Sequence, residues 1–237
     1  MQLLQTKSLG MTYAGKVALQ DVNFTIEAGR IIGLLGPNGS GKTTLLKIIA
    51  DLIQPTSGEV LYPNNAKRGT ASRKTVSFMP DEMMFPAYMT VRDTFQFYRD
   101  MYPDYDDNLA EQMQKLLGFE EKEMKSKFKS LSKGWKERVA LALTFSRKTS
   151  VYLLDEPLGG IDPVGKKRII DAILSMQLED SSIVISTHLV KDVERIFDTV
   201  WFISESKIVF CGECDEMREQ SGKTVEQAYL EVFDNDC

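Results

Sequence analysis

The sequence predicts an α/β fold: a phosphate-binding core of parallel strands and helices, preceded by an antiparallel β-subdomain and interrupted by a helical subdomain. Three observations carry this. First, apolar runs of four or five residues (Ile31-Ile32-Gly33-Leu34-Leu35, Val151-Tyr152-Leu153-Leu154 and Ser182-Ile183-Val184-Ile185) alternate with stretches of helical period. That is the rhythm of a parallel sheet covered on both faces. Second, one of these runs leads through a glycine-rich loop straight into an amphipathic helix. Third, from Asp81 to Leu131 aromatic residues crowd the chain and Val and Ile nearly vanish, which marks an insertion of different architecture.

The elements follow in order. Leu3 and Leu4 open a strand. Val22, Phe24 and Ile26 alternate with polar residues in a half-buried strand, and Ala14-Gly15-Lys16 is a tight turn between the two. Glu27-Ala28-Gly29 turns into the buried run from Ile31. After the glycine loop, Leu45, Ile48, Ile49 and Leu52 recur at helical spacing until Pro55. Helical patterns occupy 91–101 and 107–117, within an inserted subdomain spanning approximately 81–148. A helix over 134–147, a strand from Val151, a helix over 163–178, a strand from Ser182, a helix over 189–197 and a hairpin over 199–210 complete the core. Thr224-Val225-Glu226-Gln227 is a capping box opening a short helix over approximately 224–233.

Composition bounds the function. At 237 residues the chain is one large domain or a domain with an insertion. Hydrophobic residues at 43% and charged residues at 27% support a packed core. Twenty-nine Lys and Arg against 34 Asp and Glu, a net charge of −5, argue against a nucleic-acid partner. The first residues lack a signal-peptide profile, no apolar run spans a bilayer, and three cysteines make no disulfide framework. The expectation is a soluble cytosolic protein.

The chemistry concentrates in Gly36-Pro37-Asn38-Gly39-Ser40-Gly41-Lys42-Thr43, a G-x-x-x-x-G-K-[ST] phosphate loop, or P-loop. Its glycines let successive backbone N–H groups point at phosphate oxygens, and the following helix offers its positive end to the same anion. Lys42 reaches the terminal phosphates, and the Thr43 hydroxyl is a hard ligand for Mg2+. A second metal acid is needed. Asp155 ends a buried strand, where ligands of parallel sheets bind. Glu156 follows as candidate base for the attacking water. His188, the chain's one histidine, stands at another strand end on the same sheet edge, placed to hold Glu156 and the water in line.

Taken together, these residues resemble the ATP-binding-cassette (ABC) ATPases over nearly the whole chain. Tyr13 stands where adenine stacks on an aromatic ring. Gly36 to Thr44 is the phosphate loop and its flank. Leu131-Ser132-Lys133-Gly134-Trp135 occupies the place of the family signature Leu-Ser-Gly-Gly-Gln. Asp155-Glu156-Pro157 is the metal and base pair, Leu158-Gly159-Gly160-Ile161-Asp162 the loop crossing to a partner, and His188 the switch histidine. The resemblance implies ATP and Mg2+ as cofactors and ATP hydrolysis. It also implies a head-to-tail dimer with an identical or different ATPase chain, in which Ser132 and Gly134 meet the nucleotide held by the partner. It further implies an integral-membrane permease, on whose inner, cytoplasmic face the protein sits peripherally.

The sequence departs from the family pattern in three places. Lys133 replaces a glycine, and is read as facing either phosphate or solvent. Trp135 replaces the glutamine. Asp81 stands near the usual glutamine of the loop entering the helical subdomain, and is assigned to the metal through a bridging water. The Leu-Ser-Lys-Gly signature with an acid in that loop resembles bacterial exporter subunits (ABC-2-like), often for peptides or antibiotics. A non-export system or a soluble cassette regulator is the alternative. Soluble cassette ATPases of translation or repair usually carry two cassettes or a coiled coil, for which this chain has no room. A GTPase would want Asn-Lys-x-Asp, which is absent. A non-hydrolysing module should have lost Lys42 or Glu156. Met79, Met83, Met84 and Met89, with Phe85, Pro86, Ala87 and Tyr88, form the expected permease contact, with core packing as the competing reading. Cys211-Gly212-Glu213-Cys214 is read as a turn with incidental thiols.

Overall fold

The computed structural model describes residues 1–63, 68–176 and 179–234. Two sheets organise them. The first has three antiparallel strands in the order β2-β1-β4, formed by β1 (Gln2–Tyr13), β2 (Lys16–Glu27) and β4 (Ser57–Leu61). Ala14 and Gly15 both have positive φ at the β1–β2 turn, the left-handed pair whose twist matches that of a two-residue hairpin.

The second sheet has six strands in the order β5-β6-β7-β3-β8-β9: β5 (Val76–Met79), β6 (Val151–Asp155), β7 (Ser182–Thr187), β3 (Ile31–Leu35), β8 (Thr199–Ser204) and β9 (Lys207–Glu213). The first five are parallel, and β9 closes the edge antiparallel to β8. Every residue of β3, β6 and β7 is buried, because each has a layer on both faces. Alternate residues feed separate cores. Leu35, Tyr152, Leu154 and Ile185 join the helical side. Leu34, Leu153, Val184 and Trp201 join the side covered by α1 (Lys42–Ile49) and the first sheet.

A short α2 (Thr70–Thr75) precedes β5, and the insertion between β5 and β6 holds α3 (Val91–Met101), α4 (Asp107–Leu117), α5 (Glu121–Lys125) and α6 (Lys133–Phe145). Thr90 caps α3 by accepting from Asp93 N–H, and Asp106 caps α4 by accepting from Asn108 and Leu109 N–H. From Val139 to Phe145 α6 is buried on every side, the signature of a helix inside a core rather than on a surface. After β6 come α7 (Pro163–Leu174), the short α8 (Val190–Val193), then α9 (Cys214–Ser221) and α10 (Val225–Asp234). Thr224 and Gln227 exchange the two hydrogen bonds of the expected capping box.

Some expectations change. The helix after the glycine loop stops at Ile49, not near Pro55, and Leu52 is exposed. Asp51 adopts a left-handed φ of 58° there, and its buried carboxylate accepts from Arg68 Nε, Gly69 N–H and Ser72 Oγ. The pattern over 189–197 yields one α-turn and a 3-10 turn rather than a continuous helix. Of the helix expected over 163–178, 177–178 lie outside the described residues, and α7 ends at Leu174. The segment β4 was missed because five residues, one a glycine, carry too little alternation to register. The pair Cys211 and Cys214 bridges β9 and α9 rather than forming a turn. Cys214 is wholly buried, and burial pushes its thiol up to about 12. Cys237 lies outside the described residues.

Candidate functional site

The phosphate loop joins β3 to α1 and wraps Lys42. That ammonium is buried (5% exposed) and donates to the carbonyls of Gly36 (2.8 Å) and Pro37 (3.1 Å). Its Nζ also lies 3.6 Å from Glu156 Oε1. Burial lowers its pKa, and the carboxylates of Glu156 and Asp155 oppose that shift. Two glycines are required here. A Cβ on Gly36 would come within 2.3 Å of the Ile203 carbonyl. Gly41, with φ 113°, would bring one within 2.5 Å of the Ala18 carbonyl. The buried Ser40 hydroxyl has no hydrogen-bond partner among the described residues, an unsatisfied polar atom inside a loop built to bind anions.

The second group stands at the ends of β6 and β7. Asp155 is buried and accepts from the hydroxyls of Ser186 (2.5 Å) and Thr43. Burial raises its pKa, against the two hydroxyls, which lower it. Glu156 has a left-handed φ of 50°, a conformation that costs a non-glycine residue roughly 1–2 kcal/mol. Its N–H is held there by the Ser186 carbonyl (3.0 Å) and Ser186 Oγ (3.3 Å). His188 Nδ1 sits 3.0 Å from both Glu156 carboxylate oxygens. The chain thus gathers Lys42, Thr43, Asp155, Glu156 and His188 at one edge of the sheet.

Of these, Lys42, Thr43 and Glu156 open onto a cleft of about 390 Å3, lined also by Tyr13, Asn38, Gly39, Gly41, Thr44 and Asp81. Tyr13, at the end of β1, is 45% exposed, with its ring free to stack on a ligand. Asp81 is exposed and near enough to Asp155 to raise its pKa. Thr43, Asp155 and Asp81 supply hydroxyl and carboxylate oxygens, the donor set a hard divalent cation takes. Ser132 and Gly134 are not brought to this cleft. Ser132 Oγ caps α6 by accepting from Trp135 N–H (3.4 Å), and Gly134 faces Ile161 and Asp162.

Sequence reasoning missed Ser186. One hydroxyl donates to Asp155 and accepts from Glu156 N–H, so it aligns both carboxylates at once. The available signal was a polar residue closing an otherwise apolar strand. It also left Lys133 between phosphate and solvent. Lys133 is exposed, and its ammonium runs along the loop after Glu156, 3.2 Å from the place of a Cβ on Gly160. Trp135 packs edge-on against Phe119 (5.5 Å) with Arg138 over its ring (4.6 Å). The expected contact surface divides in two. Met84 and Tyr88 are 80% and 75% exposed, whereas Met79 and Met89 are buried. Phe85 is half-buried against Phe97, Tyr98 and Phe128.

Fold and site define a P-loop nucleotide-binding ATPase. Residues 19–159 match the family model described as ABC transporter, and the chain belongs to that family. It is an ATP-binding, ATP-hydrolysing cassette. The ABC transporter ATP-binding protein YtrB of Bacillus subtilis (strain 168) is 32% identical over 220 residues, covering 92% of this chain and 74% of that protein. The lantibiotic transport ATP-binding protein SrtF of Streptococcus pyogenes is 29% identical over 214 residues, covering 90% of this chain and 92% of its own length. Among solved structures, an ATP-binding subunit of an ABC transporter superposes with TM-score 0.85 at 24% identity, covering 97% of this chain and 99% of that one. The cassette MJ0796, solved as a dimer in a post-hydrolysis state with ADP and Pi, gives 0.79 at 23% identity over 89% of this chain and 98% of its own. At these identities the structures speak for the fold. No helix among the described residues is long and apolar enough to cross a membrane.

Proposed function

We propose that this chain is the ATPase of a two-component transporter. It closes head to tail with a second ATPase chain, identical or different, around two Mg-ATP. Closure drives a separate integral-membrane permease that exports peptides, antibiotics or other amphipathic compounds, and the chain is held at the cytoplasmic face through that permease. One observation carries the dimer: the capped N-terminus of α6, with Ser132 and Gly134, lies outside the chain's own cleft. A helix N-terminus binds anions, and the second chain's nucleotide is the anion in reach. The lantibiotic transport assigned to SrtF supports the cargo class.

The residues divide the work. Tyr13 stacks on adenine. Gly36 to Thr44 cradle the phosphates, with Lys42 exchanging its loop carbonyls for phosphate oxygens. Thr43, Asp155 and Asp81 hold Mg2+, which when bound neutralises phosphate charge. Glu156 orients the attacking water and accepts its proton, and His188 fixes the Glu156 carboxylate. The exposed Met84 and Tyr88, with Phe85 beneath, receive the permease.

Light scattering tests the dimer. With Glu156→Gln, in which turnover is expected to be nearly stopped with ATP binding retained, the expected mass doubles in ATP and Mg2+ but not in ADP, and Ser132→Arg abolishes the doubling. A monomer at saturating ATP would overturn the head-to-tail reading.

A further inference from the structure

We infer that Tyr229, on α10, is a positioning residue for the Glu156–His188 pair. Its phenol hydroxyl donates to the flank of that pair through one bridging water, and so fixes which Glu156 oxygen faces the attacking water. The inference rests on the reading of Glu156 and His188 as the groups that orient this water, and deepens it.

The pair by itself is under-determined. His188 Nδ1 lies 3.0 Å from each of the two Glu156 oxygens. One nitrogen shared evenly by two oxygens sets the distance of the carboxylate but not its tilt. Lys42, 3.6 Å from Oε1, is committed to phosphate in the proposed reading. Ser186 holds only the backbone N–H of Glu156. A third donor on the flank would settle the tilt, and a neutral one would do so without competing for the charge of the phosphates.

The sheet register brings Tyr229 to that flank. Phe202 of β8 stands opposite Leu35 of β3, and Leu35 opposite Thr187 of β7. This row lies one residue short of both Gly36, where the phosphate loop starts, and His188. Tyr229 meets the wholly buried Phe202 edge-on (5.8 Å, 81°) and lies against Phe233 (4.3 Å). Two rings thus hold the half-buried side chain at the level of the strand ends. Burial raises the phenol above its ordinary range and the charge of Glu156 adds to the rise, so the hydroxyl keeps its proton and remains a donor.

The helix that carries Tyr229 is tied to the segment after His188. Val225 is wholly buried, Glu226 N–H donates to Glu194 Oε2 (3.0 Å), and Arg218 Nη2 donates to the Glu194 carbonyl (3.3 Å). Glu194 directly follows α8, which begins two residues after His188. Phenol and imidazole therefore ride on one packed unit, and a shift of His188 carries its neighbour with it.

The test uses the full chain and Tyr229→Phe, which keeps the ring and removes only the hydroxyl. The expected result is a kcat about tenfold lower, with KM for ATP and melting temperature unchanged. Because the chain has one histidine, 15N-histidine labelling gives a single imidazole to follow by NMR. Its ring signals should move in Tyr229→Phe and stay in place in Tyr98→Phe, a control in the helical insertion. In a His188→Ala background, Tyr229→Phe should cost no more than about a further twofold, since the pair it orders is gone. A kcat within twofold of the unaltered chain, or imidazole signals that do not respond, overturns the inference. So does a loss in the double variant equal to the product of the two single losses, which would assign the effect to packing of α10. Glu156→Gln separates the two readings. Arrested turnover there with Tyr229→Phe unaffected sinks only the role of Tyr229. Unimpaired turnover in Glu156→Gln sinks the reading on which it rests.

Discussion

The sheet edge and the inserted helices handle buried charge in opposite ways. At the sheet edge the buried ionised groups are answered within the chain. Lys42 is held by loop carbonyls and Glu156, Asp155 by Ser186 and Thr43, and Glu156 by His188. In the insertion, Glu137 is 5% exposed and only the Lys133 charge opposes the upward push of burial on its carboxyl, and the N-terminus of α6 carries its signature residues away from the chain's own cleft. The difference teaches where each part finds its partner. In the proposed reading, the groups assigned to ATP chemistry are preorganised internally, which avoids reorganisation at the moment of reaction.

The largest break in this comparison comes from removing an internally paired group. Glu156→Gln keeps the shape and a hydrogen bond for His188 but loses the base and the charge facing Lys42. The expected result is a fall in steady-state ATPase of about 10²–10⁴-fold, with ATP affinity retained. A rate within twofold of the unaltered chain would remove Glu156 from the water-activating role. Ser186→Ala sharpens the same point. It deletes one hydroxyl that orders both carboxylates, and is expected to lower turnover about tenfold with nucleotide affinity in calorimetry unchanged.

Next in size is Glu137. Its carboxyl stands at about 7 in the folded chain against an ordinary 4.5. Between these values the unfolded chain has released its proton and the folded chain still holds it. Raising pH therefore favours unfolding, and stability present below pH 4.5 is lost as pH passes 7. The loss is on the order of 3 kcal/mol at most. The measurement is melting temperature from pH 5 to 8 beside Glu137→Gln, in which the part of the slope due to this group should vanish. Identical slopes would show that the chain already pairs Glu137 in solution.

The aromatic patch divides similarly. Phe85 is wedged among Phe97, Tyr98 and Phe128, so Phe85→Ala is expected to cost about 2 kcal/mol, near half the ~3–5 kcal/mol of a fully buried ring. Tyr88→Ala should leave melting unchanged and remove only partner stimulation. Equal destabilisation by both would return the whole patch to core packing.

How much of this could be read from the chain differs between the same two regions. The buried strands announced themselves because β3, β6 and β7 are apolar on both faces, and the loop between β3 and α1 demands glycine where a Cβ would strike the Ile203 and Ala18 carbonyls. Lys42, Asp155, Glu156 and His188 were legible as strand-end and loop residues in sequence order. Ser186 was not, since its role arises only from the register that sets it opposite Asp155. Nor was Glu137, which reads as an ordinary polar turn of a helix until the burial of α6 is known. The end of α1 escaped too, because the tie from Asp51 to Arg68 and Ser72 joins residues far apart in sequence.

The smallest expected effect concerns the rim of the cleft, where the sheet edge itself meets solvent. Tyr13 is 45% exposed at the end of β1 and lines the cleft beside Asn38 and Thr44. A ring in that position offers a π-face and reads no base edge. Tyr13→Ala should therefore weaken ATP by no more than about tenfold, or about 1.4 kcal/mol, because the phosphate loop retains its own contacts. Tyr13→Trp should bind as tightly as the unaltered chain or more so. GTP should follow ATP within about tenfold in all three forms, since stacking tolerates either purine. Calorimetric titration of both nucleotides against the three proteins decides the matter. A strong preference for ATP that survives in Tyr13→Ala would place base selection in other residues of the rim. An affinity unchanged by removal of the ring would end the stacking role, and leave phosphate capture at Lys42 and the loop as the source of binding.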